Sequence, residues 1–255
     1  MYEVKEEDLV SIASGNHSSV FHIARTKLVL KKPVNGAEPQ QDIERRIYDR
    51  LGFHPSFLTY RGIAASKSGA IGLLFDYCAS HMLSSILDDA TWTKGLEGQR
   101  ERWILELGEA LAFVHSMGVI HGDIGSHNIL VDEDGPAKLI DFGGSRLDGS
   151  KCLSFPSARY RRIPAWEEEA YEPEVKDDIF ALGMVLYEIE TGKHAYGGLE
   201  HDEILSLMEQ DKLPGLTEVP RAAMRNIIRK CWEGHYESSN DLCKDIQLGT
   251  VECTM

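Results

Sequence analysis

The 255 residues include only five cysteines (Cys78, Cys152, Cys231, Cys243, Cys253) and no C-x-x-C pair. That argues against both a disulfide framework and a structural zinc site. No run of about 18 apolar residues occurs, so no membrane span is expected. Basic residues are few: 27 Lys+Arg stand against 41 Asp+Glu, a net charge of −14. A chain this acidic is a poor candidate for gripping nucleic acid or an anionic membrane through its overall field. Internal repeats, low-complexity tracts and Pro/Gly/Ser linkers are missing too. The opening MYEVKEEDLV is acidic and polar, unlike a signal or transit peptide. These absences lead to the expectation of a soluble, cytoplasmic monomer with neither nucleic-acid nor membrane partners.

What is present is ordinary globular material. Hydrophobic residues make up 42% and charged residues 27%, too apolar for disorder and ample for a core. Residues 10–35 read as short β-runs around a small-residue turn, VSIASGNHSSVFHIA and then TKLVLKKP. Ile43, Ile47 and Leu51 at four-residue spacing predict a helix over 40–52, with Gly52 as its stop. Strands FLTYRGIAA and AIGLLFDYC follow. Beyond them the chain turns helical, and Trp103, Ile104, Leu107, Leu111 and Val114 mark one buried face of a helix over 99–117. The boundary falls near Ala79–Leu83 without a linker, which predicts two lobes packed together.

The most informative stretch is HGDIGSHNILVDEDGPAKLIDFG at 121–143. Its runs ILV and AKLI read as strands, and Asp134-Gly135 is a hairpin turn signal. A turn centred there sets Asn128 opposite Asp141, with Asp123 just upstream. An amide oxygen and a carboxylate converging with phosphates make a hard-oxygen site suited to Mg²⁺. A further carboxylate beside them is placed to orient an attacking hydroxyl.

HGDIGSHN followed by DFG resembles the catalytic loop and metal-binding motif of the eukaryotic protein kinase superfamily, H-R-D-x-x-x-x-N and D-F-G. The resemblance implies an α+β, two-lobed fold: a small antiparallel N-lobe sheet with one main helix (about 1–78) and a mostly helical C-lobe (about 82–255). It implies ATP and Mg²⁺ as cofactors, Asp123 as catalytic base, Asn128 and Asp141 as metal ligands, and His121 and Phe142 in a packed spine. Lys31 of LVLK would hold the α/β-phosphates and Glu44 of DIERRIYDRL would hold Lys31, with Lys32 the fallback. The family's three loop glycines fall on Ala13, Gly15 and Ser18, of which only Gly15 is glycine. Around the base, Val20 and Val29 would lie above and Leu130 below. Phe75 would be the gatekeeper, with Asp76 and Cys78 offering main-chain groups. KDDIFALGMVLYEIETG resembles the helix whose aspartate, here Asp178, ties down the catalytic loop, and IIRKCW resembles a late C-lobe helix.

The sequence also departs from that pattern. Gly122 replaces the arginine that usually pairs with a phosphorylated activation loop. Gly125 and His127 occupy the positions of the catalytic-loop lysine or arginine, leaving His127 as the partial substitute for that cation. A-P-E becomes Ile163-Pro164-Ala165, and its partner arginine falls near Ser239, so both halves of one ion pair are missing together. Ser145, Ser150, Ser154, Ser157 and Tyr160 are candidate phosphorylation positions in the activation segment. Acidic Glu3, Glu6, Glu7, Asp8 and Glu167–Glu169 are a solvated surface or an attractor for a basic substrate.

The leading expectation is a serine/threonine-type protein kinase acting on a protein hydroxyl, similar to divergent fungal kinase-like proteins. The alternatives are a pseudokinase scaffold and a small-molecule phosphotransferase. The latter is read from H-G-D-x-x-x-x-N and IDFG, which also resemble aminoglycoside and choline kinase motifs.

Overall fold

The computed structural model describes residues 2–66, 69–89, 97–132, 135–162 and 172–251. It has an α+β architecture: an N-terminal sheet, antiparallel but for one strand, precedes a helical C-terminal part. Strands β1 (Tyr2–Glu3), β2 (Leu9–Ser14), β3 (Ser18–Ile23) and β4 (Leu28–Pro33) lead into helix α1 (Glu38–Leu51). Strands β5 (Tyr60–Ser66) and β6 (Gly69–Asp76) complete a sheet in the order β1-β5-β6-β4-β3-β2. β1, unforeseen in the acidic opening, pairs parallel to β5.

Strand alternation separates the two faces of this sheet. Leu30, Ile23, Ala64, Leu74 and Val4 form a small core on one side. Val29 and Lys31 therefore point the other way, towards a cleft that both line. α1 begins two residues earlier than its periodicity indicated, because Pro39 is tolerated in the first turn. It ends at Gly52, whose φ of +63° is one that glycine adopts freely.

The chain leaves the sheet after Asp76. It continues through β7 (His81–Met82), α2 (Leu83–Asp88), α3 (Glu97–Ser116), β8 (Val119–Ile120), β9 (Ile129–Val131), β10 (Lys138–Leu139) and β11 (Arg146–Leu147). Trp103, Ile104, Leu107, Leu111 and Val114 of α3 are all buried. α4 (Val175–Thr191) is buried continuously from Asp177 to Glu190, the carboxylates Asp177, Asp178, Glu188 and Glu190 included. A reciprocal cap between Glu174 and Asp177 starts it, and Gly192 in the left-handed conformation ends it. α5 (His201–Met208), α6 (Ala222–Trp232) and α7 (Ser239–Val251) complete the chain. Among the described residues no helix is long and apolar enough to cross a membrane.

The hairpin at 129–139 corrects one expectation. Lys138 pairs with Leu130 and Leu139 with Ile129, one residue off the register that would set Asn128 opposite Asp141. Asn128 instead faces Ile140, whose amide donates to its carbonyl at 3.0 Å. The described residues on either side of the turn are held by α3. Arg102 donates to the carbonyls of Asp132 and Gly135, and Glu106 accepts the Ala137 amide at 2.8 Å. Asp134, Ile163-Pro164-Ala165, Glu167–Glu169 and Cys253 lie outside the described residues.

Candidate active site

Asp141 reaches the site by a different route from strand pairing. It follows β10 with φ +65°, a left-handed conformation in which asparagine and aspartate are enriched. That turn swings its carboxylate to Lys31, whose ammonium donates to Asp141 Oδ1 at 2.8 Å. Lys31 also meets Glu44 of α1, at 2.8 Å to Oε1 and 2.7 Å to Oε2. Burial by itself would lower the Lys31 pKa, but the charges of Glu44 and Asp141 outweigh it and hold the ammonium above its ordinary value. Burial would likewise raise the Asp141 carboxyl; Lys31 and the Gly143 amide reverse that and hold it low. Lys32 lies on the opposite face and takes no part in this triad.

Asp123 and Asn128 are joined directly. The Asn128 amide nitrogen donates to the Asp123 carbonyl at 2.9 Å and to its Oδ2 at 3.1 Å. Asn128 Oδ1 is therefore left as an acceptor. His127 Nε2 stands 3.4 Å from Asp123 Oδ1. Gly125 makes room for that ring, since a Cβ at 125 would sit 2.5 Å from His127 Cε1 and 2.6 Å from Tyr160. Asp178 accepts the His121 amide at 2.7 Å and the Gly122 amide at 2.8 Å, and its Oδ2 meets His115 Nε2 at 2.9 Å. One buried carboxylate thus fixes the entry to the loop.

Behind the triad runs an aromatic stack. His121 and Phe142 have ring centroids 5.0 Å apart, Phe142 and Tyr48 5.4 Å, and Tyr48 and Tyr60 5.9 Å. The sequence reading found the first two rings and missed the tyrosines. Tyr48 was findable: it lies one helical turn beyond Glu44, on the same face of α1.

Ala13, Gly15, Ser18 and Val20 line one side of a cleft of about 450 Å³, below the β2–β3 turn. Val29, Asp76, Cys78, Leu130, Asn128 and Asp141 line the rest of it, with Phe75 and Tyr48 at the back. A smaller adjoining cavity is bounded by Lys31, Glu44, Asp123, Asp141 and Gly143. Asn128 Oδ1 and the Asp141 carboxylate are hard oxygen donors that fit a magnesium ion completed by phosphate and water. Among the described residues no cluster of three His, Cys, Asp or Glu side chains is arranged for a metal.

Two activation-segment expectations need correction. Ser145 is fully buried and donates to the His121 carbonyl at 2.8 Å. Tyr160 is buried with its hydroxyl bonded to Glu188 and Ser126. Neither side chain is presented to a modifying enzyme. Ser239, at the place of the absent arginine, is buried and hydrogen-bonds His115 at 2.9 Å.

Gly144 marks the tightest contact in this region. A Cβ there would sit 1.7 Å from Ser154 Oγ and 2.3 Å from Ser154 Cβ. Gly144→Ala should therefore cost about 1–3 kcal/mol by overpacking, measured as a shift in the denaturant midpoint. A neutral result would mean that residues 152–154 move aside freely.

The comparisons agree with this geometry. The chain matches the Protein kinase domain over residues 7–246. It is 25% identical to the serine/threonine/tyrosine-protein kinase HT1 of Arabidopsis thaliana, over 86% of this chain and 59% of that protein. It is 27% identical to the mitogen-activated protein kinase mpkC of Aspergillus clavatus, over 78% of this chain and 54% of that one. It is 29% identical to the RGS domain-containing serine/threonine-protein kinase A of Dictyostelium discoideum, over 63% of this chain and 14% of that one. The chain thus spans less than two thirds of each of these relatives. The family match covers nearly the whole chain, and on it the chain belongs to the protein kinase domain family.

Proposed function

We propose that this chain is an ATP-dependent protein kinase of serine/threonine type, forming one kinase unit with an N-lobe of about 1–78 and a C-lobe of about 82–255. The observation that carries the reading is the Lys31 ammonium held between Glu44 and Asp141, beside a cavity that Asp123 also lines. In this reading the acceptor hydroxyl gives its proton to Asp123 as its oxygen bonds the γ-phosphorus. The bond to the β–γ bridging oxygen breaks, and ADP leaves. Lys31, oriented by Glu44, holds the α/β-phosphates. Asn128 and Asp141 would hold Mg²⁺, which when bound neutralises charge on the phosphate oxygens.

Val20, Val29 and Leu130 would hold the adenine, with main-chain groups of Asp76 and Cys78 at its edge. The turn over Ala13, Gly15 and Ser18 would cover the phosphates. His127, next to Asp123, stands in part for the cation that Gly125 lacks.

The test is transfer of labelled phosphate from Mg-ATP to the chain itself, to a basic generic protein, and to a panel of amines and sugars. Label on protein serine or threonine is the expected result. Label only on small molecules would replace the reading with a small-molecule phosphotransferase. No label from folded protein that binds ATP would make it a pseudokinase.

A further inference from the structure

Glu188 lies within α4 with its side chain fully buried. An ionised carboxylate there is costly unless hydrogen bonds and a counter-charge meet it. Three donors converge on it: the Tyr160 hydroxyl at 2.9 Å, the Ala195 amide at 3.0 Å and His194 Nδ1 at 3.4 Å. The other His194 nitrogen, Nε2, is 3.1 Å from Asp88 Oδ1 at the end of α2. A neutral imidazole has one N–H and one lone pair, and an ionised carboxylate supplies no proton. Only the imidazolium satisfies both contacts.

From Glu188 the network runs outward to the catalytic loop. Tyr160 gives its proton to Glu188, so its oxygen accepts the Ser126 hydroxyl at 2.7 Å and the Ser126 amide at 3.2 Å. Ser126 lies between Asp123 and Asn128 in that loop. We propose that protonated His194 is a positioning residue for phosphoryl transfer, neutralising buried Glu188 so that the Tyr160–Ser126 link holds the catalytic loop. Its effect on turnover rests on the kinase reading above; the coupling between His194 and the loop does not.

Among the described residues the charged groups acting on the ring are Glu188, Arg159 and Asp88. The Glu188 hydrogen bond is the main cause that holds the imidazole above its ordinary 6.5, helped by Asp88 and opposed by burial and by Arg159. The sign follows from a raised folded value. The stabilisation is complete below about 6.5 and is lost as pH rises through the folded pKa.

His194→Gln tests this, because the amide still donates to Glu188 but carries no charge. By NMR, the wild-type His194 ring should titrate above 6.5. Asp88→Asn, at a solvent-facing carboxylate, should lower that midpoint. At about pH 6.5 the Ser126 amide should be several-fold less protected from hydrogen exchange in His194→Gln, with the two proteins converging as pH rises past the His194 midpoint. Wild-type kcat should fall several-fold as pH rises through the His194 midpoint, at constant KM for ATP, a step that the His194→Gln profile lacks. A midpoint at or below 6.5, equal Ser126 protection at low pH, or superimposable kcat profiles would overturn the proposal. Absence of transfer by the wild type overturns the kinase reading and the role in turnover, while the exchange difference still decides the coupling. Should His194→Gln fail to fold, Asp88→Asn reads the same point, by moving the Ser126 transition to lower pH.

Discussion

Asp123→Asn is expected to fold as the wild type does and to lose phosphoryl transfer by about 10²–10⁴-fold, the range of a positioned general base. The substitution keeps the shape of the side chain. It also removes no buried charge, because Asp123 is partly open to the cavity and about a quarter of its side chain is accessible. The loop around it is held by other groups, the Asp178 carboxylate on the amides of His121 and Gly122 and the Tyr160 hydroxyl on Ser126. What disappears is the oxygen that receives a proton. The checks are labelled-phosphate transfer beside the wild type and a thermal melt of both proteins. Near wild-type turnover in the variant would sink the role assigned to Asp123; a collapsed melt would instead show that the loop depends on this carboxylate for its structure.

Lys31→Met should act on both activity and stability. The ammonium is shared by two carboxylates, and Glu44 is almost wholly buried. Removing the cation leaves Glu44 without its counter-charge, which costs about 3–5 kcal/mol when a buried pair is broken from one side. Transfer should fall by at least about 10²-fold, as when a preorganised charge-stabilising donor is lost. Lys32→Met is the control, since Lys32 sits one residue on and therefore on the other face of β4. A large loss in Lys32→Met and a small one in Lys31→Met would assign the phosphate contact to the wrong face of the strand. Lys31→Met with full turnover would remove the triad from the mechanism altogether.

Much of the fold and of the candidate site was legible locally. The periodicity of α3 named its buried face, and the alternation in LVLKKP selected Lys31 over Lys32. The stretch HGDIGSHN…DFG held Asp123, Asn128 and Asp141 within one short segment. Other features were not legible because they are set by distant partners. The residues beside the hairpin turn are bonded by Arg102 and Glu106 of α3, contacts that no turn rule contains. The arrival of Asp141 at Lys31 depends on a left-handed backbone after β10. The burial of Ser145 and Tyr160 was hidden because serines and tyrosines in a loop-like stretch read as exposed.

By itself the sequence determined the element types, the cores those elements bury and the residue types available for phosphate, metal and proton chemistry. Periodicity, turn chemistry and short-range spacing encode those properties. Only the tertiary structure decided which charges meet. Lys31 and Asp141 are 110 positions apart, and Asp88 and His194 are 106 apart. Electrostatic pairing depends on distance in space and on burial, and both are properties of the packed chain as a whole.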